Sequence, residues 1–182
     1  MKLLRKNSVA VVIFVITVIL SILASGHIAL SKEAKKVEDI FYNGERGDGL
    51  SIYSDLKDMV DTSRNILSLT QKVADASSSE LTQLNQIIID FQSAQTPEEC
   101  YQIYQRLLIS IDDVSTLFVF YCDDEDLNRR FEGYASVFAS KMNTIGYDPY
   151  NRYVREYRQK LDAFPAGLIA KLTGVREVSA FE

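Results

Sequence analysis

Histidine occurs once in this 182-residue chain, tryptophan never, cysteine twice and proline three times. A lone histidine, His27, rules out any site built from several imidazoles. Two cysteines, Cys100 and Cys122, are a poor fit to a zinc module or a disulfide scaffold, and three prolines do not suit a collagen-like or proline-rich chain. An excess of positive charge is also missing: 20 Lys and Arg against 25 Asp and Glu leave a net charge of -5. A general nucleic-acid binder needs a basic surface to neutralise phosphates, so nucleic acid is not an expected partner. The catalytic motifs G-x-S-x-G, Walker A, G-x-G-x-x-G, H-E-x-x-H and C-x-x-C are absent too.

What is present is unevenly spread. Lys2, Arg5 and Lys6 precede residues 9 to 30, VAVVIFVITVILSILASGHIAL, which hold no Asp, Glu, Lys or Arg. Those 22 residues compare with the roughly 20 that a helix needs to cross hydrocarbon. From Ser31 onward, 17 basic and 25 acidic groups leave a balance of -8. A basic tip, an apolar run and an acidic body predict a cell-membrane protein with one span, a cytoplasmic N-terminus and an extracytoplasmic body. Lys32, Lys35 and Lys36 run against that orientation, with Glu33, Glu38 and Asp39 mixed among them. Two readings compete: a cleaved secretory signal, because Ala24-Ser25-Gly26 places small residues where cleavage is suited, and a buried core helix of a soluble protein, for which 22 uncharged residues are long. The β-branched residues of the run lower helix propensity in water, whereas in lipid only a helix satisfies its own backbone. His27 falls near the far end of the span, where water is close, and reads as an interfacial residue.

Residues 31 to 43 contain no Gly or Pro, so the span is expected to continue as helix until Gly44, Gly47 and Gly49 enforce a turn. Ile52, Leu56, Met59, Ser63, Ile66, Thr70 and Val73 then step at helical spacing, widened by Val60, Leu67 and Ala74. Ser77 to Ser79 interrupt the pattern, either breaking one helix or kinking it, and Leu81, Leu84, Ile87, Ile88 and Phe91 resume it. Thr96-Pro97-x-Glu99 is a helix start, with a capping hydroxyl, a first-turn proline and an acid three positions beyond the cap. Cys100, Tyr104, Leu107, Ile111, Val114, Phe118 and Tyr121 follow as the most regular stripe. Leu127, Phe131, Tyr134, Phe138, Met142 and Ile145 make the next one. Asp148-Pro149 starts a last long helix bearing Tyr150, Val154, Tyr157, Leu161 and Phe164. No stretch alternates long enough for a sheet. The expected fold is all-α: an N-terminal transmembrane helix followed by an elongated antiparallel helical bundle. Residues 1–30 form the tip and anchor, and residues 31–182 the bundle.

Three clusters invite chemistry. Asp123, Asp124, Glu125 and Asp126 have the oxygen donors of a divalent-cation site but not the spacing of a calcium loop, and read as helix-capping acids. Cys100 and Cys122 are 22 residues apart, roughly 33 Å along a helix, beyond disulfide reach within one chain. They read as half-buried small side chains, or as partners in an intermolecular disulfide. Arg152, Arg155, Arg158 and Lys160 interleave with Tyr150, Tyr153 and Tyr157, which resembles a single-strand nucleic-acid surface. Their spacing sweeps around the helix, so they read instead as a solvated face that balances the acidic middle. No residue is singled out as catalytic, cofactor-binding or metal-binding, and the chain is expected not to be an enzyme.

The C-terminal third resembles the LemA family. The residues carrying the likeness are Tyr150-Asn151-x-x-Val154-x-x-Tyr157, then Phe164-Pro165-x-Gly167-Leu168-Ile169-Ala170-x-Leu172-x-Gly174, and a closing Ala180-Phe181-Glu182. Arg158 stands where the family has a second Asn and Val175 where it has Phe, and the first-helix signature of the family is missing. The resemblance implies a membrane-anchored helical bundle without an agreed molecular activity. In physical terms Tyr150, Asn151 and Tyr157 read as packing and hydrogen-bonding groups, and Phe164-Pro165 is expected to end the last long helix and turn Leu168, Ile169 and Leu172 back as a plug over the bundle end. The expected partners are the lipid bilayer, through residues 9–30, and another membrane or envelope protein or a second copy of the chain. The reading that competes on function is an enzyme or metal-dependent site built from clustered carboxylates.

Overall fold

The structure, a computed structural model, describes the backbone of residues 2–182 and the side chains of residues 8–182. The basic tip of Lys2, Arg5 and Lys6 lies outside the described side chains. Among the described residues every regular element is helical: a long apolar N-terminal helix and six that follow it. The first, α1 (Lys2–Asn43), runs without a break past the uncharged segment, as the lack of Gly and Pro over residues 31–43 predicts. It is long and apolar enough to cross a membrane. The chain forms two compact units, residues 39–151 with 179–182, and residues 1–38 with 152–178.

In the unit of residues 39–151, local chemistry sets the boundaries. Gly44, Gly47 and Gly49 all take positive φ, and a Cβ at Gly44 would lie 2.4 Å from the Leu50 carbonyl oxygen, so that turn needs glycine. Ser51 then caps α2 (Ile52–Thr70) by accepting from the Ser54 N–H. α2 stops at Thr70, and Ser78 caps a separate α3 (Ser79–Phe91), so residues 50–91 form two helices; Val73 and Ala74 lie between them. α4 (Pro97–Tyr121) opens with the anticipated capping box: Glu99 N–H donates to Thr96 Oγ1, and the Glu99 carboxylate accepts from the Thr96 N–H. Asp124 caps α5 (Glu125–Tyr147), accepting from the N–H groups of Asp126 and Leu127.

α2 packs against α3, α4 and α5, and α3 packs against α4. Leu107, Ile111, Val114 and Phe118 are buried, and Phe118 stacks on Phe131 with centroids 4.1 Å apart. Every apolar residue of the α3 stripe is buried. The stripes are less exact elsewhere. Tyr121 and Met142 are exposed, whereas Ile103 and Ser110, which the spacing omits, are buried.

In the other unit the elements are α1 as far as Glu38, α6 (Tyr150–Asp162) from Arg152 onward, and α7 (Ala166–Thr173). Gly167 lies against the end of α6: a Cβ there would sit 2.5 Å from the Leu161 carbonyl oxygen. Gly174, left-handed at φ 69°, closes α7. Phe164 does not continue the α6 stripe. The helix ends at Asp162 and the ring is 86% exposed. Leu168 and Leu172 are exposed as well, so α7 does not plug a bundle end with them. Of the three, Ile169 alone turns inward, onto Gly26 of α1, on the same side as the buried Ala170, because an eight-residue helix presents a single narrow face to its neighbour.

Candidate functional site

The acids at the start of α5 serve its first turn. Asp124 is spent on two backbone N–H groups, and Asp126 lies 3.7 Å from Arg129 across an exposed i,i+3 pair. Four consecutive acids on one helix start point in different directions, and among the described residues no group of three or more His, Cys, Asp or Glu is arranged to hold a metal ion. Cys100 and Cys122 are both buried and unpaired. Burial pushes the Cys100 thiol up to about 12, the charge of Glu99 adding to it.

The basic residues of α6 divide by task. Arg152 faces Glu156 and lies over the Tyr153 ring, 5.1 Å from its centroid. Lys160 pairs with Glu33, and Arg158 donates to the Val178 carbonyl at 3.1 Å. The tyrosines and asparagine of the same helix hold the C-terminal segment. Tyr157 Oη donates to the Arg176 carbonyl at 3.1 Å, and burial raises the Tyr157 hydroxyl above its ordinary value. Within the other unit, Tyr150 Oη donates to the Ser179 carbonyl at 2.6 Å. Asn151 makes a reciprocal pair with the Phe181 backbone: Nδ2 donates to the carbonyl at 2.7 Å, and the Phe181 N–H donates to Oδ1 at 2.8 Å. The Phe181 ring then sits among Tyr101, Tyr104 and Phe41, with centroids 5.1, 5.4 and 5.9 Å away. These are structural roles. They satisfy an extended backbone that has no helix to do so.

Lys141 of α5 links two helices by charge: it donates to Asp55 at 2.8 Å and pairs with Asp58 at 2.7 Å, both on α2. It borders a cleft of about 590 Å³ that includes Asp55, Tyr147 and Asp148. Burial pushes the Asp148 carboxyl up, opposed by the N–H of Tyr150 and reinforced by the charges of Asp55 and Glu45. The hydrogen bonds to Asp55 and then Asp58 hold Lys141 above its ordinary value of 10.5. A cation whose folded-state value is raised stabilises fully below the unfolded value, and that contribution is lost as pH climbs through the folded one. Lys141→Met is therefore expected to destabilise the chain by about 1–3 kcal/mol at neutral pH, since Asp55 is left unpaired. The gap to the parent should close as pH rises above the lysine range. Denaturation of the detergent-solubilised chain followed by circular dichroism checks both points, and a gap that persists at high pH would remove the ion pair as its cause.

The surface feature that spacing did not find is at the end of α4. Val119 is 71% exposed and Phe120 79%, with Tyr121 exposed beside them. Phe118 turns inward onto Phe131, and Val119, Phe120 and Tyr121 of the five-residue apolar run are left outward: no helix faces one side for five consecutive residues. That arithmetic was available in the run Leu117-Phe118-Val119-Phe120-Tyr121. After the buried Cys122 come the exposed acids Asp123 to Asp126, so negative charge lies close along the chain to the apolar patch. No family model matches this chain, and no curated protein or solved structure matches it either.

Proposed function

We propose that this chain is a LemA-like, membrane-anchored, non-catalytic helical module that offers a docking surface to another membrane or envelope protein or to its own copies. Residues 9–30 cross the bilayer once, with the N-terminus cytoplasmic and the body outside. The observation that carries the docking role is the exposed Val119-Phe120-Tyr121 patch, with exposed acids from Asp123 onward close along the chain. Exposed aromatic and β-branched side chains have no task in water, whereas aromatic anchors dominate binding energy when a partner covers them. The acids bias choice and orientation toward a partner with a basic rim more than they add affinity. Tethering in the same membrane raises the local concentration of such a partner.

Retention of the anchor, rather than its cleavage, is supported at the small-residue site itself. Gly26 is covered by Ile169, and His27 Nδ1 lies 3.2 Å from Thr173 Oγ1. Cleavage after Ala24-Ser25-Gly26 would strip α7 of its neighbour. The LemA-like reading is supported by the joint work of Tyr150, Asn151 and Tyr157 on the C-terminal segment that closes the shared pattern.

A photo-crosslinking residue in place of Phe120, in cells carrying the full chain in its native membrane, tests the docking role. A discrete adduct is expected at that position and not from the same residue placed at the exposed Lys72. If Phe120 gives neither a partner adduct nor a self-adduct while the protein is folded and membrane-bound, the patch is not a docking surface.

A further inference from the structure

α7 is the element whose exposed side chains are hardest to reconcile with water. Leu168 and Leu172 are spaced by four, fall on one face of α7 and are exposed, and Phe164, in the turn just before the helix, is exposed as well. The opposite side of α7 is occupied. Ala170 is buried, Ile169 meets Gly26 so closely that a Cβ there would lie 2.8 Å from its Cδ1, and Thr173 reaches His27. Ile169 also shares a groove of about 490 Å³ with Phe14, Val18 and Ile22. Those α1 residues belong to the uncharged run, whose side chains from Val9 to Ile22 are themselves uncovered. The bare apolar surface of α1 is thus continuous, through Ile169, with the helix that carries the second apolar face. Lys32, Lys35 and Lys36, which follow the uncharged run on α1, and Lys171 on α7 are exposed.

We infer that α7 is a second, interfacial membrane contact: its Leu168 and Leu172 face, with Phe164 in the turn before it, lies at the headgroup–acyl boundary of the leaflet that the anchor meets around His27. This rests on the reading of residues 9–30 as a bilayer span. An amphipathic helix in the interface buries its apolar face at that boundary and keeps lysines among the headgroups, which their long stems allow. The consequence is orientational. A single span leaves the body free to tilt and rotate, whereas a second contact beside its end limits both.

The absence of tryptophan makes the test direct. Leu168→Trp and, separately, Leu20→Trp each give the full chain one indole, and each protein is reconstituted in phosphatidylcholine vesicles with brominated or unbrominated acyl chains. For Leu168→Trp the expected result is blue-shifted emission, protection from iodide, and loss of intensity with bromine near the headgroups more than with bromine near the chain ends. Leu20→Trp is expected to show the reverse depth preference. Red-shifted, iodide-quenched emission at Leu168→Trp, with Leu20→Trp still quenched by bromolipid, overturns the interfacial contact and leaves the anchor standing. Protection from iodide without bromolipid quenching places protein, not lipid, over the face and also overturns it. Failure of Leu20→Trp to sense bromolipid overturns the anchor reading itself.

Discussion

Phe41→Ala is expected to cost about 3–5 kcal/mol of stability, the range for deleting a fully buried phenylalanine. Phe41 has no exposed surface, and its ring meets Tyr42, Tyr53, Tyr150 and Phe181 at centroid distances of 4.9, 6.2, 5.2 and 5.9 Å. Truncation removes the ring from all four at once and leaves a cavity whose lining is stiff, because aromatic rings collapse poorly into a gap. Phe181 also loses one wall of its seat, so the Asn151 pair that holds its backbone is weakened as well. Chemical denaturation of the detergent-solubilised chain gives the number, with Phe120→Ala as the comparison. The exposed Phe120 should change stability by no more than about 0.5 kcal/mol. A cost below about 1 kcal/mol at Phe41 would mean that the cluster does not organise that unit.

The largest effect belongs to the anchor. Val18→Arg combined with Ile19→Arg places two charges at the middle of the uncharged run, each costing about 2.5–3.5 kcal/mol at a helix centre, about 5–7 kcal/mol together. The side chains of both residues are exposed along α1, so the penalty falls chiefly on the bilayer. The parent chain should stay with membranes through alkaline carbonate extraction, and the double variant should leave them. Replacing Lys35 and Lys36 by arginine keeps the charge where it already is and should leave extraction unchanged. Retention of the double arginine variant in carbonate-washed membranes would mean that residues 9–30 do not cross the bilayer.

Helix starts and stops were legible where a single residue type has one physical use. Thr96, Pro97 and Glu99 make a capping box in any context, and Gly44 takes a conformation closed to other residues. Interior faces were legible where spacing was regular, as in α3. Legibility failed where a stripe outran its helix. Phe164 keeps the interval of α6 but follows its end, and Val73 and Ala74 keep that of α2 past Thr70. It failed again at Val119 and Phe120, where an apolar run longer than one face had to send part of itself outward.

Composition and periodicity by themselves determined an all-helical chain, the uncharged N-terminal run and most of the side chains that fill the interior. These depend on neighbours three or four residues away, whose relation is set by the helix alone. What only the tertiary structure decided is which helices end early, which apolar residues stay outside, and what Tyr150, Asn151 and Tyr157 hold. Their partners lie 19 to 30 residues along the chain, in a segment with no regular structure of its own. A hydrogen bond across that separation leaves no periodic trace in sequence, because the intervening backbone must first turn at Phe164-Pro165 and Gly174 before the two ends can meet.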